Sequence, residues 1–163
     1  FQRDANIAIG HELQRIAVNH GRAYHDVACS AGVVDHVLVG HNGVYAINVV
    51  ARRHFKKADV YLDGNELHFS NAKKPLSIVN IVAATKRIEK EFRQLTGKET
   101  RVRSVIALPG WDIREQSGND HLLVNERNLP MISGWKDHDD YLMNEDVEAM
   151  QKDLTRRCRL TKA

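Results

Sequence analysis

Few residues of this chain are placed where they could do chemistry. Asp35 stands inside the apolar run Val33-Val34-Asp35-His36-Val37-Leu38-Val39, and Asn48 inside Val44-Tyr45-Ala46-Ile47-Asn48-Val49-Val50. A carboxylate in such a strand costs free energy unless a metal ion, a base or a hydrogen-bond donor satisfies it. Asp35 is therefore the strongest single pointer to function. A cluster of acids with a lysine at this place would hold a divalent cation beside a water nucleophile. The cation would polarise a phosphate, and the lysine would orient the water or stabilise developing charge. The run Arg52-Arg53-His54-Phe55-Lys56-Lys57 reads equally as a solvated loop or as a set of phosphate contacts.

Other reactive types lack the spacing their chemistry needs. His11-Glu12 opens like a zinc-protease helix, which requires a second histidine four residues after the first, and Arg15 stands there. The 9 histidines show no ligand spacing, so surface or hydrogen-bonded structural roles are expected for them. The 2 cysteines, Cys29 and Cys158, are far apart with no motif around them. They fit reduced structural thiols, and so a cytoplasmic location, better than a disulfide.

The elements that must position these residues follow from periodicity. Two β-branched runs joined by Gly40-His41-Asn42-Gly43 predict a buried hairpin. With His41-Asn42 as the turn, Asp35 faces Asn48; with Asn42-Gly43, it faces Val50. In either register Asp35, Asn48, Val50 and Arg52 are expected on one face of the sheet. Ahead of the hairpin, Ile9, Leu13 and Ile16 predict a helix over about 4–19 that Asp4 could cap. Asn6 shares its inward face and Glu12 lies at the edge of that face, so either could reach the hairpin. A possible strand spans 23–29. After the hairpin, Asp63-Gly64-Asn65 predicts a second hairpin, and Pro75 opens a helix running to about Gly97. Its apolar stripe is Ile78, Ile81, Val82, Thr85, Ile88, Phe92 and Leu95. An apolar strand over 101–108, a short strand over 121–124, an irregular stretch over 130–135 and a helix over about 145–159 complete the chain.

At 163 residues the length suits one domain with a full core, and a net charge of +3 is a mild basic bias compatible with a polyanionic partner. No apolar run approaches the ~20 residues of a membrane span, so no membrane contact is expected within this segment. The chain starts at Phe1, which suggests that upstream sequence was removed and leaves a tether or a fused domain there open.

Val34-Asp35-His36-Val37-Leu38-Val39-Gly40, followed by Gly43-Val44-Tyr45-Ala46-Ile47, resembles the I-D-H-V-V-V-G-P-x-G-V-F-x-I segment of the nuclease-related domain (NERD) family. That family is a distant branch of the PD-(D/E)xK restriction-endonuclease-like superfamily. Pro75-Leu76 before a helix and Leu108-Pro109-Gly110-Trp111 after a strand also recur in one branch of it. The likeness runs from about Asp4 to Asn125. It implies an α/β fold, a restriction-endonuclease-like central mixed β-sheet with flanking helices, as a single domain over residues 1–163.

The chemistry carries over only where residues match. Asp35 falls on the metal-ligating aspartate. The second acid of E-x-K falls on Asn48, and its lysine on Val50. The acid of the first helix falls on Asn6, with Glu12 as a substitute under a different alignment, and a glutamine falls on Ile78. One aspartate alone would bind Mg²⁺ or Mn²⁺ weakly. The resemblance thus implies a nuclease-related domain that has lost phosphodiesterase activity and serves DNA or other nucleic-acid binding, through Arg52, Arg53, Lys56 and Lys57, or a regulatory role toward a protein partner. The alternatives are an active Mg²⁺- or Mn²⁺-dependent nuclease using Asp35, Glu12 and Arg52, and a structural interaction module.

Overall fold

The computed structural model describes residues 1–53, 58–114, 120–134 and 142–161. The first helix, α1, spans Gln2–His20, two residues earlier than its pattern predicts. Asp4 consequently sits inside the first turn, where its charge suits the helix dipole, and does not cap. Strand β1 (Arg22–Cys29) then pairs with β2 (Gly32–Gly40), and β2 with β3 (Gly43–Val49), both antiparallel. The β2–β3 register closes at Gly40 opposite Gly43, so His41-Asn42 is the turn and Asp35 lies across from Asn48.

Beyond β3, a small second sheet forms from β4 (Asp59–Asp63), β5 (Glu66–Phe69), β6 (Leu76–Ser77) and β8 (Asp112–Ile113), in the order β6-β5-β4-β8. Pro75 opens no helix. Leu76 and Ser77 instead pair with Leu67 and Glu66, and helix α2 begins at Val79 and runs to Thr96. Ser77 Oγ accepts the Val79 N–H at 3.3 Å, which marks the change from strand to helix. Along α2, Thr85, Ile88 and Phe92 are buried as the stripe predicts, whereas Leu95 in the last turn is exposed.

Helix α2 is the crossover that returns the chain parallel to β3 as β7 (Val102–Ala107), and β9 (His121–Val124) adds parallel to β7. The main sheet therefore has the order β1-β2-β3-β7-β9 and is mixed. The stretch expected to be irregular holds a 3-10 helix, Leu129–Gly134, and the chain closes in α3, Asn144–Thr161. Helices α2 and α3 cover one face through Ile88, Phe92, Met150 and Leu154 packed on Val37, Val39 and Ala46. Helix α1 and the 3-10 helix cover the other, through Ile9, Leu13 and Ile132 on Leu38, Ile47 and Val105. Both faces are buried, so strand β3 is apolar at nearly every position. Among the described residues, no helix is long and apolar enough to cross a membrane.

Candidate functional site at the open end of the hairpin

Side-chain alternation slips at one point. On β2, Val37 and Val39 face α2 and α3, and so does Val34, three residues before Val37. On β1, Tyr24 and Val27 do the same. Two residues that share a face are normally an even number apart. The slip lies at Asp26 and Asp35, which stand opposite each other between the paired His25–His36 and Val27–Val34. Asp26 has a φ of 51°, the left-handed region that aspartate tolerates better than most residues.

Here β2 and β3 also part, and side chains replace the missing ladder bonds. Asp35 Oδ2 accepts the Val49 N–H at 2.8 Å, and the Asp35 N–H donates to Asn48 Oδ1 at 3.4 Å. Asn6 Nδ2, reaching down from α1, donates to Asp35 Oδ1 at 3.4 Å. Gln2 completes the seam: its amide donates to the Val49 carbonyl at 2.7 Å and accepts the Ala51 N–H at 2.9 Å. Asp35 is half-buried, and burial raises its carboxyl above the usual 3.8. The Val49 N–H pulls it back down, exposed Asp26 pushes it up again, and Asn6 lowers it.

The expectation of one shared face fails for a physical reason. The slip turns the Asp35 carboxylate toward α1, whereas Asn48 pairs with Ile106 and Val50 packs beside it in the cluster under the small sheet. Asn6, Asp35 and Asn48 do come together. Val50 and Ile78 are apolar members or neighbours of that cluster and bring no polar chemistry. Glu12 is not part of the constellation: it pairs with Arg15 at 3.4 Å and lines a separate cleft. That cleft, of about 960 Å³, lies between α1 and the exit of β3, with Arg52 and Arg53 on its wall facing Asp4, Glu12 and Glu126. The Arg52 guanidinium lies 4.7 Å from the Phe69 ring centre and that of Arg53 5.1 Å from Phe1. Lys56 and Lys57 lie outside the described residues.

A divalent cation does not fit this donor set. Asp35 is the only carboxylate of the three side chains, and both its oxygens are engaged. With Asn48 Oδ1 held by the Asp35 N–H, its Nδ2 is left buried and without a partner, a donor where a cation needs a lone pair. Among the described residues, no three His, Cys, Asp or Glu side chains converge as metal ligands.

Next to the slip lies a pair that spacing alone concealed. His25 and His36 face each other across β1 and β2 with their Nδ1 atoms 2.7 Å apart. Gly10 of α1 lies directly over them, and a Cβ there would come within 3.2 Å of the His36 ring. Gln14 Nε2 lies 2.7 Å from His25 Nε2 and also donates to the Ala23 carbonyl. A consistent proton assignment follows: Gln14 donates to His25 Nε2, and His25 Nδ1–H donates to His36 Nδ1. Both rings are then neutral. Burial, with His25 adding to it, lowers His36 to about 4, while the Asn6 backbone carbonyl acts in the opposite direction. The register of β1 on β2, which no short motif encodes, was the missing signal.

Residues 3–109 match the family model described as the nuclease-related domain. The chain belongs to the nuclease-related domain family. No curated protein and no solved structure matches it. The nuclease-related domain match takes in α1, the whole β1–β2–β3 hairpin system, the small sheet except β8, α2 and β7. Apart from Gln2, the polar seam at Asp35 thus lies within the matched part of the nuclease-related domain, as does the Arg52–Arg53 wall of the cleft.

Proposed function

We propose that this nuclease-related domain binds nucleic acid through phosphate contacts and does not cleave it. One observation carries the reading: the Asp35 carboxylate is bonded to the Val49 N–H at 2.8 Å inside the fold, with Asn48 and Val50 where an acid and a lysine would be needed. A metal-dependent hydrolase needs the opposite arrangement, with carboxylates left open to a cation and a basic group beside the water. What the arrangement keeps is compatible with binding. Arg52 and Arg53 stand side by side at the exit of β3, each with its guanidinium over an aromatic ring, an arrangement that keeps the N–H donors at its edge for a phosphate. Asp4, Glu12 and Glu126 on the same cleft discourage deep entry of a polyanion, so the contact falls at the arginine rim.

Electrophoretic shift of labelled duplex DNA, single-stranded DNA and RNA across a salt series tests this. Binding is expected at about 50 mM salt and should weaken steeply by about 200 mM, because phosphate neutralisation releases counterions. Replacing Arg52 and Arg53 by alanine should lower the slope of log affinity against log salt by about two. No shift of any of the three at the lowest salt would overturn the proposal.

A further inference from the structure

On the opposite face of the sheet from α1 lies a pocket of about 310 Å³, between α2 and the β7–β9 edge. Three polar side chains make its floor. Ser104 on β7 and His121 on β9 are register partners, and Ser104 Oγ lies 2.7 Å from His121 Nδ1. Thr85 of α2 is the third. Its residue is 7% exposed, and its hydroxyl has no hydrogen-bond partner. That is unusual for a helical threonine, whose hydroxyl ordinarily bonds the carbonyl four residues back. Two others in this chain do so, Thr96 to Phe92 at 3.0 Å and Thr155 to Gln151 at 2.9 Å. A buried hydroxyl left unpaired costs free energy unless something else meets it.

The rim supplies charge. Lys86 and Arg101 line this pocket and also the adjoining one, of about 590 Å³, to which Lys90 and Arg93 contribute. Of the carboxylates on the first pocket among the described residues, Glu89 is turned inward to accept the Val102 N–H at 2.8 Å, and Asp120 is exposed at the edge. Burial lowers His121 below its usual 6.5, against a smaller upward pull from Asp120 and with Lys86 adding to the decrease. A neutral His121 that accepts the Ser104 proton at Nδ1 keeps its Nε2–H as a donor. Ser104 is 3% exposed, which argues against a nucleophilic role and for a positioning one.

We infer that this pocket binds a single phosphoryl group, with the Thr85 hydroxyl and the His121 ring as donors on its floor and Lys86 as the cation at its mouth. The volume is at the small end for a ligand site, enough for one phosphate and little beyond it. The group could be carried by a small metabolite or by the end of a nucleic-acid strand. The site shares no residue with the seam at Asp35 or the arginine cleft, so it stands or falls independently of the reading above.

The test is titration of the intact protein with inorganic phosphate at low ionic strength, followed by amide chemical shifts. Saturable shifts are expected in α2, β7 and β9. Thr85→Val, which keeps the shape, and Lys86→Ala, which alters only an exposed side chain, should each weaken binding by about tenfold, the effect of one lost hydrogen bond to a charged group. Asp35→Asn should leave phosphate binding unchanged. A short oligonucleotide with a 5′-phosphate binding more tightly than its 5′-hydroxyl form would identify the strand end as the source, and equal binding of the two would identify a small phosphorylated molecule. Absence of saturable shifts, or equal phosphate affinity in the wild type and both variants, would overturn the inference.

Discussion

The two ends of the β2–β3 hairpin solve the same problem in different ways. At the turn, the ladder runs to Gly40 opposite Gly43, and buried Arg103 lies against the turn with its guanidinium 5.8 Å from the Tyr45 ring centre. Backbone pairs with backbone, and glycine makes room. At the other end the ladder stops at His36 opposite Ile47, and Asp35 and Gln2 take over the main-chain groups of Val49 and Ala51, while Asn48 accepts the Asp35 N–H and Asn6 donates to the Asp35 carboxylate. A carboxylate in a strand is thus not by itself a sign of catalysis. At this position it does the work of a backbone carbonyl, and a nuclease-related domain can keep the aspartate for that reason alone.

The closed end is the more sensitive of the two to substitution. Gly43 has a φ of 144°, and a Cβ there would approach Arg103 Nη1 to 2.6 Å. Gly43→Ala should cost about 3 kcal/mol in denaturant unfolding, from backbone strain plus displacement of a buried arginine. A cost below ~1 kcal/mol would show that the turn is not tightly specified.

Acid should attack the open end. His36 is held neutral with a pKa of about 4 against 6.5 when unfolded, so the unfolded chain binds its proton first. Its contribution is therefore complete above about pH 6.5 and is lost as pH falls toward 4, amounting to about 3 kcal/mol. Asp35 runs the other way. Its raised pKa adds stability below 3.8 that is lost as pH rises through the folded value. Denaturation midpoints measured through this range should fall steeply below pH 6.5, and His36→Gln should flatten the slope.

Asp35→Ala should follow at about 1–3 kcal/mol, because it orphans the Val49 N–H. Asp35→Asn should change stability least, by less than ~1 kcal/mol. Its amide oxygen can accept the same N–H, and the desolvated charge is removed. A large loss in Asp35→Asn with little in Asp35→Ala would reverse the assignment of the carboxylate to a structural bond.

Much of this was legible in the residues. The alternation of Val37, Val39, Val44 and Ala46 located the hairpin, and the Gly-His-Asn-Gly turn limited the register to two choices. Helical spacing puts both Asn6 and Glu12 within reach of the hairpin, and of the two it is Asn6 that hydrogen-bonds to Asp35. What strict alternation concealed was the slip opposite Asp26. A left-handed residue in a strand has no sequence signature when it is aspartate and not glycine, and every face assignment beyond it is then off by one. The His25–His36 contact was hidden for a related reason: it depends on the β1–β2 register and on the space over Gly10, which lies in a different element. Strands β6 and β8 are two residues each, too short for periodicity to register.

If Asp35 serves the fold and not a metal ion, supercoiled plasmid incubated with the purified wild type and Asp35→Asn proteins in Mg²⁺ and in Mn²⁺ should show no nicking above the protein-free control, identical in both proteins and both ions. Nicking by the wild type that requires Mn²⁺ or Mg²⁺ and disappears in Asp35→Asn would contradict that role.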